Sequence, residues 1–278
     1  MPEKLLVLKD FLSLEKEEAV NYDFKREVFK KRGLEYNNEN MINNILLYKG
    51  NIFQSEGDCD RIDLTLDIYN KLWKKQLEKY CYFDDSLQKE FIPVNGETMN
   101  SFTRIYKIYT EIVIGNGKYE FNNTELNRFA KLTHSLGNFI PVCASISKGR
   151  HSSPFNSGRN LGAYDYWDLT MWDIKNHLDR NNNALMEETY QCKYIKNSSY
   201  WLDSYKNWNE FCKSNYLDNW ASNEAIKNNI YWESHIQKRQ DVKFLKNDIE
   251  KFNLILKKIN DLILYRGRIM YDELNKLI

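Results

Sequence analysis

Apolar residues recur every three or four positions over long stretches of this chain, which is the spacing of one face of an α-helix. The clearest stripes lie at 66–80, 99–113 and 167–178, and weaker helical patterns cover 14–32 and 201–212. Each stripe is short enough for a helix of a globular protein. The patterns therefore predict helices over these five ranges.

The most regular stripe is near the C-terminal end, where apolar residues alternate steps of three and four through three heptads. They form a narrow a/d seam, typical of a long helix that packs along one face: Val242, Leu245, Ile249, Phe252, Leu256, Ile259 and Ile263. A core helix of the same chain is favoured, because sustained coiled coils usually need more heptads. The alternative is a homodimer through residues 242–263. Gly267, flanked by Arg266 and Arg268, interrupts the pattern and predicts a separate short helix over 269–277.

Extended structure has one clear sequence signal, at Phe139–Cys143. Pro141 would confine such a strand to the edge of a sheet, because proline donates no ladder hydrogen bond. We therefore expect a mainly α, multi-helix single domain over 1–278, with a small extended segment near 138–143. We expect a long C-terminal helix in this domain, and the alternative is that residues 241–278 are a C-terminal helical extension of it.

Composition indicates a folded chain but no partner. Aromatic residues make up 14% of the chain, which disfavours disorder, and the net charge is only +1. No two of the five cysteines (Cys59, Cys81, Cys143, Cys192 and Cys212) have a C-x-x-C spacing, so reduced thiols in a cytoplasmic protein are expected. No run approaches the ~18 apolar residues of a membrane span, and no cofactor or metal motif occurs. We expect no cofactor, no metal and no membrane partner.

One stretch departs from this balance. Residues 126–164, called the acid-free segment below, contain no Asp or Glu but carry five cations: Arg128, Lys131, Lys148, Arg150 and Arg159. Four of the eleven glycines and two of the four prolines also lie here. Backbone N–H groups and arginine forks suit phosphate or carboxylate. The alternative is a long loop whose cations pair with acids from elsewhere, and the sequence leaves the two interpretations equal.

Two motifs in the acid-free segment suggest chemistry. Arg128 and His134 have the arginine–histidine spacing of HEPN-type ribonucleases, in which the histidine moves a proton and the arginine stabilises phosphate charge. His151 is a second proton-transfer candidate, although a histidine at a helix end is more often structural. His134-Ser-Leu-Gly137-Asn138 is similar to an element of HNH nucleases, but no histidine precedes it to complete a metal site. The candidates for phosphate binding are Asn138, Lys148, Arg150, Asn156 and Arg159.

Several short patterns together resemble a group of uncharacterised bacterial proteins, classed as a domain of unknown function. They are Ser135-Leu-Gly-Asn-Phe-x-Pro141, Phe155-Asn-x-x-Arg159 and Tyr166-Trp-Asp-Leu-Thr170, and the likeness covers roughly residues 60–220. The resemblance implies a shared fold and emphasises Asn156, Arg159 and Asp168. It implies no activity. The group has glycine after the arginine where this chain has Asn160, and often an aromatic residue at the position of His134.

Two functions follow from these patterns. The first, slightly preferred, is binding or cleavage of a phosphate-bearing ligand (RNA, DNA or a nucleotide). The enzyme would then be a nuclease or another phosphodiester hydrolase, in a toxin or phage-defence role. The second is a non-catalytic helical module that self-associates through its C-terminal helix.

Overall fold

A computed structural model gives the structure of the chain over separate stretches of residues. These are residues 5–49, 59, 62–80, 82–84, 89–91, 94–100, 102–115, 123–143, 167–180, 202, 205–218 and 248–277.

Helices dominate the described residues, as the apolar stripes predict, so the mainly α fold class is confirmed. In chain order they are α1 (Leu8–Leu12), α2 (Lys16–Val20), α3 (Lys25–Lys31), α4 (Met41–Lys49), α5 (Asp63–Leu72), α6 (Lys74–Tyr80), α7 (Phe102–Gly115), α8 (Thr124–Leu132), α9 (Trp167–Leu178), α10 (Trp208–Ser214) and α11 (Ile249–Lys276). A turn of 3-10 helix, Leu136–Asn138, follows α8.

Among the described residues, four short strands form two small sheets. β1 (Tyr82–Asp84) and β2 (Lys89–Phe91) pair antiparallel, with Tyr82 opposite Phe91. β3 (Val94–Thr98) pairs with β4 (Phe139–Cys143) in a separate two-stranded sheet. β4 is the extended segment predicted near 138–143. Pro141 is tolerated in it because each strand of a two-stranded sheet is an edge strand.

The chain divides into two compact units. Unit 1 combines three stretches, Met1–Leu72, Ile105–Phe139 and Asn247–Ile278, and unit 2 combines Trp73–Arg104 with Ile140–Lys246. Unit 1 therefore brings the two ends of the chain together. The single domain over 1–278 stays a prediction.

Helix α11 is the centre of unit 1. Along its side, α8 runs parallel to it, since Asn123 contacts Asn253 and the later Arg128 contacts Asp261. Four a/d residues of the described seam are at most 1% exposed, namely Phe252, Leu256, Ile259 and Ile263, and Ile249 at the start of the helix is half-buried. Val242 and Leu245 lie outside the described residues. The described seam is thus packed inside its own unit, as the favoured interpretation expects, and the homodimer through 242–263 stays a prediction.

The prediction of a helix break at Gly267 is wrong. α11 runs without interruption from Ile249 to Lys276, and its buried stripe continues through Gly267, Met270 and Leu274. A glycine in a helix costs about 1 kcal/mol relative to alanine, which tertiary packing can offset. Here Gly267 is itself a packing residue of the stripe.

Gly267 lies against Gly137 of the 3-10 turn. A methyl group built on Gly137 would stand 1.8 Å from the carbonyl oxygen of Ile263 and 2.7 Å from the nitrogen of Gly267. One built on Gly267 would meet a Val20 methyl at 3.1 Å and the Gly137 nitrogen at 3.4 Å. The backbones of the turn and of α11 therefore touch, and only glycine fits at position 137.

The predicted helix over 14–32 is divided into α2 and α3. The main-chain N–H of Phe24 donates to the carbonyl oxygen of His134 at 3.0 Å, outside any helical ladder. The Asp23 carboxylate then accepts from the N–H of Lys25 at 3.0 Å and satisfies a donor at the start of α3. Long-range contact and local capping together override the helical periodicity.

Unit 2 has its own buried aromatic residues. Trp208 stacks on Phe211 at a centroid separation of 5.4 Å, and Trp73 meets Tyr216 edge-on at 5.6 Å. The helix predicted over 201–212 appears as α10, which begins later because the Asn207 side chain caps it by accepting from the N–H of Glu210 at 3.0 Å. Tyr205 and Trp208 are buried, so they serve the core.

The glycine contact yields a paired prediction. Gly137→Ala should destabilise the protein by about 3 kcal/mol or more, because its methyl group meets backbone atoms that cannot move aside without shifting α11. Gly267→Ala should stay within about 1 kcal/mol of the parent, since helix propensity favours alanine and the nearest atom belongs to a side chain. Urea denaturation followed by circular dichroism measures both. Equal losses would contradict this geometry.

Candidate anion-binding segment

Arg128, the first cation of the acid-free segment, is paired with carboxylates. It lies on α8, which Asn123 caps by accepting from the N–H of Leu126 at 2.9 Å. One terminal nitrogen of Arg128 lies 3.0 Å from Asp261 of α11, and the other lies 3.6 Å from Glu125. A phosphate approaching Arg128 would meet these two negative charges. Arg128 therefore fits the alternative interpretation of the segment, in which its cations pair with acids from elsewhere in the fold.

The turn after α8 is closed by its own side chains. Three buried residues return hydrogen bonds to the last carbonyls of the helix: Thr133 Oγ1 to Phe129 O at 2.9 Å, Ser135 Oγ to Leu132 O at 2.8 Å, and Asn138 Nδ2 to Thr133 O at 2.7 Å. Helix C-termini leave such carbonyls unpaired, so these bonds are stabilising. The Leu-Gly-Asn element that resembles a nuclease motif is thus buried in a structural turn, and Asn138, a phosphate-binding candidate, is fully buried there.

A buried arginine from α11 completes the turn. Arg266 is fully buried, and its Nη1 donates to the carbonyl oxygens of Gly137 at 2.8 Å and Phe139 at 2.5 Å. Charge-assisted hydrogen bonds of this kind are roughly twice as strong as neutral ones. The sequence offered one signal for this residue, because Arg266 stands three positions after Ile263 and so falls on the buried stripe of α11.

His134 lies at this turn, half-buried, and its main-chain oxygen accepts from the N–H of Phe24. Its role as a proton carrier beside Arg128 stays a prediction. His151, Lys148, Arg150, Asn156 and Arg159 lie outside the described residues. Within the described residues, no group of three or more His, Cys, Asp or Glu is placed to hold a metal ion.

Sequence reasoning missed a cluster of buried charges in unit 1, called the charged cluster below. Its first half is the ion pair of Lys25 and Asp23, which are 0% and 2% exposed and stand 3.1 Å apart. The hydroxyl of Tyr36 donates to the same Asp23 carboxylate. Burial and the nearby Asp23 charge raise the pKa of Tyr36, so its hydroxyl stays a donor.

The second half of the charged cluster surrounds Glu27, which is 3% exposed. Its carboxylate accepts from the hydroxyl of Tyr22 and from the N–H of Leu6 at 2.6 Å, and Lys30 lies 3.2 Å away. Burial and the bond to Glu27 raise the pKa of Tyr22. The signal in the sequence was the run Tyr22-Asp-Phe-Lys-Arg-Glu27, in which aromatic and charged residues lie side by side.

The chain was compared with known proteins by sequence and by structure. No protein-family model, no curated protein and no solved structure matches it. The resemblance to an uncharacterised bacterial group stays a prediction. No helix among the described residues is both long and apolar enough to cross a membrane.

Two arginines on α11 provide a matched test of the turn. Arg266→Met should lower the free energy of unfolding by about 3–5 kcal/mol, because it leaves two buried carbonyls without their donor. Arg268 instead holds Glu17 at the surface, with N–O distances of 2.7 and 2.8 Å. Arg268→Met should cost less than about 1 kcal/mol. Chemical denaturation of both variants measures the difference, and similar losses would show that Arg266 does not stabilise the turn.

Arg128→Gln should have a small effect. Its ion pair with Asp261 is partly exposed, with side-chain exposures of 35% and 43%, so solvent screens it. We expect a loss of at most about 1 kcal/mol in unfolding free energy, decreasing further in high salt. A salt-independent loss above this value would mean that Arg128 has a further buried role.

Proposed function

We propose that the chain binds a phosphate-bearing ligand (RNA, DNA or a nucleotide) through residues 144–164, the second part of the acid-free segment. The observation that carries the proposal is the absence of Asp and Glu over 126–164 in a chain whose acids and bases are otherwise balanced. Phosphate affinity depends on such local positive charge, because neutralising phosphates releases condensed counterions.

The described contacts support this location within the segment. In its first part, Arg128 is matched by Glu125 and Asp261, and Asn138 is enclosed in the turn. Lys131 is exposed on α8, one turn beyond Arg128. The remaining cations, Lys148, Arg150 and Arg159, have no acid among their sequence neighbours up to Asp165.

Cleavage of the ligand is a further step of the proposal. His151 stands next to Arg150, so a proton carrier and a phosphate-binding cation are adjacent in the sequence. His134 and Arg128 are the other candidate pair, but the Arg128 guanidinium is held by two carboxylates. A phosphodiester hydrolase of this type would suit a toxin or phage-defence role.

If His151 carries the chemistry, His151→Ala should abolish cleavage of single-stranded RNA or DNA while leaving binding nearly unchanged.

The binding proposal is tested by removing the three cations together. A variant with Lys148, Arg150 and Arg159 changed to Ala should bind a fluorescein-labelled single-stranded RNA or DNA much more weakly. The slope of log affinity against log salt should become flatter by about two, since each single-strand phosphate contact contributes about 0.7. Fluorescence anisotropy at several salt concentrations, with competition by ATP, measures binding of all three ligand classes.

The control removes the same charge from exposed positions outside residues 144–164. Lys131, Lys213 and Lys257 are exposed on α8, α10 and α11. Changing these three to Ala should leave both affinity and salt slope close to the parent values. If both triple variants bind the nucleic acid equally weakly, the loss of affinity reflects net charge alone and the proposed location is wrong. A parent protein that binds none of the ligands would overturn the proposal.

A further inference from the structure

Arg26 of α3 is held between two aromatic rings in unit 1. Its guanidinium carbon lies 5.1 Å from the ring centre of Tyr36 and 5.7 Å from that of Tyr22. Both distances are within the ~6 Å range of cation–π attraction. Arg26 itself is half-buried, so its side chain runs from the charged cluster towards the surface.

The two rings are fixed in place. The hydroxyl of Tyr36 donates to Asp23, and its ring meets Phe29 edge-on at 5.5 Å. The hydroxyl of Tyr22 donates to Glu27, and its ring meets Phe24 edge-on, also at 5.5 Å. A guanidinium between rings fixed in this way loses little further freedom when it binds a ligand.

Arg26 nevertheless has donors to spare. An arginine offers five N–H donors, of which Nη2 donates to Asn38 Oδ1 at 2.9 Å at the surface, and the side chain also hydrogen-bonds Tyr36. Its Nε is buried and has no hydrogen-bond partner among the described residues. The nearest acids by sequence are engaged elsewhere, Asp23 with Lys25 and Tyr36, and Glu27 with Tyr22 and Lys30.

Lys25 adds a second, buried cation at the same place, and it is paired with Asp23. It is fully buried, and its ammonium has the Asp23 contact of 3.1 Å but no hydrogen bond. An ammonium carries three donors, and a buried donor without an acceptor is costly. The charged cluster therefore has more cationic donors than acceptors to meet them.

We propose that Arg26 anchors a second anion site, in unit 1, which takes a phosphate group. The planar fork of arginine matches two phosphate oxygens, and the exposed Nη2 end of this fork is already oriented by Asn38. The site lies outside the acid-free segment and does not rest on residues 144–164. Free phosphate and the phosphodiester of a nucleic acid share the chemistry it recognises.

The Nε–Hε resonance of Arg26 reports directly on the site. It is assigned by its loss in Arg26→Lys and followed during titration with inorganic phosphate at constant ionic strength, and separately with a short single-stranded RNA. The resonance should shift and saturate with at least one of the two. Binding of that ligand should weaken roughly tenfold or more in Arg26→Lys, which keeps the charge but loses the fork. Saturation by inorganic phosphate alone identifies a site for free phosphate. Saturation by RNA alone identifies a contact with the phosphodiester backbone of the nucleic acid.

Lys31→Gln is the matched control, because Lys31 is an exposed cation on the same helix, and it should bind like the parent. The site is overturned if neither ligand moves the Arg26 resonance, if chloride moves it equally, or if Arg26→Lys and Lys31→Gln weaken binding alike. The titration of the parent protein shows whether a ligand binds at Arg26 even if an Arg26 variant fails to fold. The variant lacking Lys148, Arg150 and Arg159 should keep the shift of the Arg26 resonance. One of the two proposed sites can therefore be overturned without overturning the other.

Discussion

Two backbone carbonyls beside Asn138 accept hydrogen bonds from the buried guanidinium of Arg266, and the path of the chain through unit 1 depends on this contact. The contact requires α11 to approach the 3-10 turn until backbones touch, which glycine at 137 and 267 permits. It also needs a donor long enough to reach the turn from the helix, which arginine supplies. Once formed, it fixes where α8 ends and where β4 begins.

This constraint accounts for one part of the acid-free segment. From Leu132 to Pro141 every residue is buried except the half-buried His134, so a carboxylate there would have to be desolvated. Burial is sufficient reason for acids to be missing from this part, and Arg128, ahead of it, is neutralised by pairing. The cations at 148, 150 and 159 lie outside the described residues, and anion binding through them stays a proposal.

Local periodicity predicted most of the described helices. The errors fall where a distant residue decides the structure. Gly267 indicates a break when only neighbours in sequence are considered, and its partner is 130 positions earlier at Gly137. The charged cluster was missed because charged residues usually face solvent, and their burial depends on Tyr22 and Tyr36 satisfying them.

Hydrogen–deuterium exchange, measured by mass spectrometry with and without a saturating single-stranded RNA or DNA, tests the division of the acid-free segment most directly. Peptides covering 133–141 should exchange slowly in both states, because their backbone is buried against α11. Peptides covering 144–164 should gain protection only when the nucleic acid is present. Protection gained at 133–141 instead, or an unchanged pattern at 144–164 under saturating ligand, would contradict it.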